Sequence, residues 1–362
     1  MTAHPVIRSR PLRVIQWATG KLGSSILRES LLNPEIDVVG CFVYSESKAG
    51  RDIGEIAGLP HVGVAATMDR DEIYSLEADL VFHCPQLQPT MDEPDSDVAA
   101  LLESGKNVIS IVGYSYPPGL GSEHSARLQK ACELGNASLM GTGINPGFVS
   151  ERLATTLTGL CLDIKHVHVL EAYDCTCAPP MMLAIMGFGQ DPDAYEAMGL
   201  QEVWDAMYLG IIYDVVDRPG GRVDHIEKTH ELFLSPRDQL DESIPVPVTQ
   251  GTVAGTKWQW TVLTNEAPFY TLEFHWYVGA PIPDLQKDSG WTITIDGTPS
   301  LQASVRTATS VEDLRNHAPA EYDDKLMAAL VLNAAPDVVA APAGFMRVPV
   351  FAPYRRRMAP SL

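Results

Sequence analysis

The sequence predicts an α/β protein in two parts: a doubly wound parallel sheet, followed by an α+β domain with an open mixed or antiparallel sheet. Three observations carry this. A buried-strand pattern, a glycine turn and an amphipathic helix follow one another within residues 12–32. Strand and helix patterns then alternate up to residue 141, which implies parallel strands joined by crossover helices. Beyond that point the strand patterns lengthen, and single helices no longer separate them.

The first strand, LRVIQW at residues 12–17, is apolar and β-branched with no helix cap before it. Glycines follow at once. Leu22, Ile26, Leu27 and Leu31 recur at helical spacing, and Asn33-Pro34 ends that helix. Residues 36–44 (IDVVGCFVY) supply the next strand and complete a βαβ unit. The alternation continues through residues 79–84 (DLVFHC), a helix beginning near Ser96-Asp97, residues 107–112 (NVISIV), a helix capped near Ser122 and a short strand at residues 137–140. Residues 1–145 therefore read as a nucleotide-binding domain of the Rossmann type. In the second part, strands are expected at residues 166–173, 268–278 and 291–295, with helix around residues 195–215. Residues 146–322 form this domain, and the helical pattern at residues 323–339 predicts a C-terminal segment, 323–362, that packs back on the first.

Composition narrows the function. The 362 residues are 45% hydrophobic and 20% charged, in the globular range. A formal charge of -20 repels a phosphodiester backbone and an anionic membrane surface, so neither nucleic acid nor membrane is an expected partner. Cys41, Cys84, Cys132, Cys161, Cys175 and Cys177 are scattered, as in a reducing compartment. Cys175 and Cys177 lack the two-residue spacer of zinc knuckles and redox dithiols, and no metal site is expected. The N-terminal MTAHPVIRSRPLRV has no apolar run of signal length, and no stretch of eighteen apolar residues follows. A cytoplasmic location is expected.

Three segments carry chemistry. Ala18-Thr19-Gly20-Lys21-Leu22-Gly23 fills the G-x-G-x-x-G frame with alanine at the first position. Gly20 would let the backbone approach a pyrophosphate, Gly23 would let the helix close on the strand, and the helix N-terminus offers free N–H groups. The alternative is an ordinary βα turn. At the end of the second strand, Ser45, Lys48 and Arg51 can receive a 2′-phosphate, which favours NADP over NAD. Glu46 argues for NAD, and a solvated loop is the bland alternative. At the domain boundary, GTGINPGF (residues 141–148) is too rich in turn-formers for a regular element. It reads either as a loop against the nicotinamide, with Asn145 and Pro146 in contact, or as a hinge. His83, at a strand end, either touches the pyrophosphate or fills space.

QWATGKLG, YSESKAGRDIGEIAG and GTGINPGF, in this order, resemble the dihydrodipicolinate-reductase-like family that includes diaminopentanoate dehydrogenase and the native amine dehydrogenases. The likeness covers roughly the first 190 residues, and Asn333-Ala334-Ala335-Pro336 is similar to the family's ending. The resemblance implies hydride transfer between a nicotinamide and a C=N or C=O carbon, a cofactor contact at Asn333, and a homodimer built on the second-domain sheet. It also implies that the strand at residues 166–174 faces the pocket, with Glu171 and Tyr173 on one face. A carboxyl buried there would have a raised pKa and serve as acid or base. Tyr116 is a competing donor, as is Tyr114. Met181, Met182 and Met186 near Phe188 suit an apolar wall or plain filling.

One departure matters. The family's glutamate before a Tyr-Pro pair has no counterpart in Ile111-Val112-Gly113-Tyr114-Ser115-Tyr116-Pro117. The histidine and lysine of dihydrodipicolinate reductases are also missing. The expectation is an NADP-preferring oxidoreductase for a small apolar carbonyl, imine, alcohol or amine, reducing a carbonyl or preformed imine rather than capturing ammonia. Its rivals are a non-catalytic NADP-binding sensor or scaffold, and a dehydrogenase for a fused-ring or terpenoid alcohol.

Overall fold

The computed structural model describes residues 10–86, 91–176, 178, 180–239, 244–285, 289–308, 310–316 and 323–355. Cys177 and the first nine residues of the N-terminal segment lie outside them. The chain divides into two compact units. Unit 1 comprises Met1–Phe148, Ala206–Ile211 and Asp323–Pro349, and unit 2 the remainder.

Unit 1 begins with β1 (Leu12–Trp17), α1 (Lys21–Leu32), β2 (Ile36–Phe42), α2 (Ile53–Ile56), α3 (Arg70–Ser75), β3 (Leu80–His83), α4 (Asp92–Glu103), β4 (Asn107–Ser110), α5 (Ser122–Gly135) and β5 (Ser138–Gly141). Its sheet runs in the order Gly344–Phe345, β5, β4, β3, β1, β2, with every neighbouring pair parallel. The chain leaves β1 for β2 on one side and returns to β3 on the other. That reversal creates a switch point, the place where open α/β sheets bind ligands beyond their carboxyl ends. Phe42, Trp17, His83, Ser110 and Gly141 stand side by side along this edge.

Both faces of the sheet are covered, which is why its strands read as continuous apolar runs. On one side Ile15 and Trp17 pack with Val98, Leu101 and Leu128 from α4 and α5. On the other, Leu12, Val14, Leu80 and Phe82 meet Ile26 of α1 and Val331 and Val338 from the C-terminal helix. Each such side chain, buried fully, contributes about 1.5–3 kcal/mol.

Unit 2 holds α6 (Thr155–Thr158), β6 (Asp163–Asp174), α7 (Pro180–Ile185), α8 (Pro192–Glu196), α9 (Leu200–Asp217, whose middle residues count with unit 1), β7 (His225–Leu234), β8 (Val253–Thr264), β9 (Ala267–Tyr277), β10 (Gly290–Thr298), β11 (Leu301–Val305) and α10 (Val311–Arg315). The strands form one sheet, ordered β11-β10-β6-β9-β8-β7. Only β6 and β9 run parallel within it. Alternation gives it an aromatic face, with Trp258, Trp260, Phe274, Trp276 and Trp291 buried, and a polar face bearing His166, His168, Lys257, Glu273 and His275. The chain closes with α11 (Asp323–Ala340) and β12 (Gly344–Phe345), both in unit 1.

The architecture agrees with the sequence prediction, with differences of detail. α4 starts at Asp92, before Ser96, and β2 stops at Phe42, because Val43 bonds instead to the carbonyl of Thr67. β7, β8 and β11 carry no assignment from sequence. Their polar-face residues, such as Lys257, Gln259 and Thr261, dilute the apolar signal to every second position. No helix among the described residues is long and apolar enough to cross a membrane.

Candidate functional site: an anion cradle at the switch point

The turn after β1 is built by backbone constraint. Ala18 adopts a left-handed conformation, φ 71°, which costs an L-residue roughly 1–2 kcal/mol. Two contacts hold it: its amide donates to the carbonyl of Phe42 (2.9 Å), and Gln16 Nε2 donates to its carbonyl (2.8 Å). A Cβ at position 23 would stand 2.3 Å from the Ala18 oxygen, so only glycine lets α1 start so close to β1. At Gly20 a Cβ would meet nothing within 4 Å. The third glycine of the frame is therefore required by the protein's own packing, whereas the second faces open space.

Gly20 is also the N-cap of α1, extended and without a side-chain cap, and no acidic residue stands in the first turn. The leading N–H groups of the helix, on Lys21, Leu22 and Gly23, are left for an external acceptor. Backbone donors and helix dipole thus converge on one point.

The loop after β2 returns to this turn. Lys48 Nζ donates to the Thr19 carbonyl (2.5 Å) and approaches Thr19 Oγ1 (3.1 Å), and Ser24 Oγ donates to the same carbonyl (2.9 Å). Among the described residues no carboxylate forms an ion pair with Lys48. Arg51 differs: its guanidinium is held by Glu55 at 2.7 Å, one helical turn away. Ser45 and Ser47 share a hydrogen bond of 2.6 Å. Of the three residues assigned to a 2′-phosphate, the structure brings only Lys48 to the turn. Gln16 and Ser24 also brace the turn and carried no signal of their own.

His83 ends β3 beside Trp17 and is fully buried. Ser110 Oγ donates to the Val112 carbonyl (3.1 Å), so His83 Nδ1 is the donor in its 2.9 Å bond to Ser110. Burial lowers the imidazole pKa to about 3, and the ring is neutral. The same cause pushes the Cys41 and Cys84 thiols up to about 12, which leaves them unreactive.

The loop after β4 accounts for its lack of a carboxylate at one position. Gly113 has φ 71°, and a Cβ there would lie 2.7 Å from Met91 Cε. Tyr114 is a core tyrosine, its hydroxyl donating to Asp95 at 2.7 Å. Tyr116 is half-buried, with Arg347 Cζ 4.9 Å above its ring. In the boundary segment Asn145, Pro146 and Gly147 leave helical geometry, and the Asn145-Pro146 peptide is cis. Asn333 stands exposed on α11.

In unit 2, Glu171 and Tyr173 lie two residues apart on β6. Trp276 Nε1 donates to Glu171 Oε1 (3.0 Å) and Trp291 Nε1 to Oε2 (2.7 Å). The carboxylate is fixed by a buried indole on each side. Met181 and Met182 are mostly exposed, while Phe188 is buried. Among the described residues no group of histidine, cysteine and acidic side chains could hold a metal ion.

No family model matches the chain. It is 22% identical over 321 residues to an amine dehydrogenase of Streptomyces virginiae, covering 83% of this chain and 87% of the relative. The structure of an amine dehydrogenase from Mycobacterium smegmatis superposes with a TM-score of 0.73 at 21% identity, covering 97% of this chain and 98% of that one. A D-galactose-1-dehydrogenase from Rhizobium etli gives a TM-score of 0.49 at 16% identity, over 94% and 92% of the two chains. The chain has the fold of the Mycobacterium smegmatis amine dehydrogenase, and the two amine dehydrogenase likenesses support an amine dehydrogenase-like family.

Proposed function

We propose that this amine dehydrogenase-like chain binds NADP in preference to NAD and transfers hydride to or from a small, apolar carbonyl or imine carbon. The observation that carries the reading is the cradle: an uncapped helix start behind an open Gly20, with Lys48 beside it and, among the described residues, no carboxylate paired to that lysine. A diphosphate suits the amides of residues 20–23, and the ammonium on Thr19 suits a further phosphate on the ribose. Ser45, bonded to Ser47, and Arg51, paired with Glu55 through one of its five N–H groups, are the further phosphate donors.

The nicotinamide supplies the hydride; the chain supplies position and one proton. His83 keeps the edge beside Trp17 uncharged. Asn145 and Pro146 contact the cofactor, and Asn333 contributes from α11. Glu171, with Tyr173 and Tyr116 as alternatives, handles the proton. The expected glutamate is missing from the loop after β4, so the substrate is a carbonyl or preformed imine rather than a carbonyl awaiting ammonia. We also place the chain in the cytoplasm and pair it with a second copy through the unit 2 sheet.

The test is loss of NADPH absorbance across ketones, aldehydes and cyclic imines, with and without ammonia. Turnover should appear without ammonia, and Lys48→Ala should cost about tenfold with NADPH and little with NADH. Tight NADPH binding with no turnover on any substrate would make the chain a sensor or scaffold instead. Light scattering of the same preparation should give twice 39.4 kDa.

A further inference from the structure

At the β2 end of the cradle lies a feature that the turn does not use. Arg70, the first residue of α3, sets its Cζ 5.0 Å from the Phe42 ring, 5.9 Å from Tyr44 and 6.0 Å from Trp17. The rings form a wall at the carboxyl ends of β1 and β2. Trp17 stacks on Phe42 at 4.1 Å, Tyr44 meets Phe42 edge-on, and Trp17 Nε1 donates to Tyr44 Oη at 3.0 Å. The guanidinium is held along its edge: Nε donates to Asp97 Oδ1 (2.8 Å), Nη2 to Asp97 Oδ2 (3.2 Å) and to Glu93 Oε1 (2.8 Å). Asp97 is buried and takes a third donor, the Tyr74 hydroxyl. Two acids surround one cation, so the site repels phosphate. What it offers is its plane, with 36% of the Arg70 side chain and 46% of Tyr44 open.

We infer that Arg70 and Tyr44 form the stacking platform for the adenine base, an inference that rests on the dinucleotide reading above. A planar, edge-locked cation on aromatic rings is a surface on which a purine stacks. Position selects the adenine half: the residues that follow β2 receive the adenosine ribose, and of these Tyr44 belongs to this wall while Lys48 bonds to the glycine turn at Thr19. Phosphate and base are thereby divided between two cations, Lys48 without an ion pair among the described residues and Arg70 neutralised by Asp97 and Glu93.

The experiment titrates the full chain with NADPH and with reduced nicotinamide mononucleotide, which lacks the adenylate. Arg70→Lys keeps a charge for Asp97 but loses the plane. It should weaken NADPH about tenfold and leave the mononucleotide unchanged. Unchanged NADPH affinity in a variant that melts like the parent overturns the inference and spares the dinucleotide reading. A parent chain that binds neither compound overturns both. Should Arg70→Lys fail to fold, 15N-arginine-labelled parent protein decides: AMP should shift the Arg70 Nε–H resonance by ring current, and an unmoved resonance at saturation overturns the platform.

Discussion

Two glycines three residues apart answer to different demands, and substitution separates them. At position 23 an added Cβ would stand 2.3 Å from a backbone oxygen, so Gly23→Ala should lose about 1–3 kcal/mol in denaturant unfolding, the cost of overpacking. At position 20 there is room for a side chain. Gly20→Asp should fold with the parent's melting temperature and bind NADPH more than about tenfold more weakly, since a carboxylate then occupies the anion's place. Parental affinity in Gly20→Asp would empty the cradle of its meaning. His83 gives a prediction in pH. Its folded pKa is about 3 against 6.5 in the unfolded chain. As pH falls below 6.5, the unfolded state takes up the proton first, so stability is complete above 6.5 and declines toward pH 3. The slope from this residue is at most about 1.4 kcal/mol per pH unit. His83→Asn keeps a donor for Ser110 but cannot titrate. Urea midpoints from pH 7 to 4 should fall less steeply in the variant; equal slopes would mean that His83 is not held neutral.

At the scale of elements, β6 couples stability to the proposed chemistry. Glu171 receives two buried indole N–H groups, from β9 and β10. Glu171→Gln puts an amide NH₂ against one of them. Leaving that donor unpaired should cost about 1–3 kcal/mol in unfolding. If the carboxylate also moves the proton, kcat should fall about a hundredfold with little change in KM. Lost stability with parental kcat would make Glu171 a brace and pass the proton to Tyr173 or Tyr116. Elements buried on both faces were legible in the sequence: β1, β3 and β4 read as nearly unbroken apolar runs, and α11 was legible from its helically spaced apolar residues. β7 and β8 were not, because one face is polar: charged and polar residues interleave the apolar ones, as Lys257 and Gln259 do around Trp258 in β8. The glycine frame was legible because its constraint is local. Lys48 on Thr19 and Arg70 on Asp97 join residues 29 and 27 positions apart, and no local pattern encodes such pairs.

Over the whole molecule, a chain of charge -20 is asked to hold an anion. Screening resolves this: beyond the ~8 Å Debye length at physiological salt the surface acids fade, while the amides of α1 and Lys48 act at contact. The two-unit organisation then makes binding visible as linkage. A cofactor that binds only folded unit 1 stabilises it by RT ln(1 + [L]/Kd), about 4 kcal/mol at a thousandfold excess over Kd. For a unit of this size each kcal/mol raises the midpoint by about 2–4 °C. Calorimetry with saturating NADPH should therefore move the unit 1 transition by roughly 8–16 °C, with a smaller shift from NADH at the same concentration and a shift reduced by at least about 3 °C in Gly20→Asp. Equal shifts from the two cofactors would remove Lys48 from phosphate recognition while leaving the cradle in place. If neither cofactor shifts the transition, there is no dinucleotide site in unit 1.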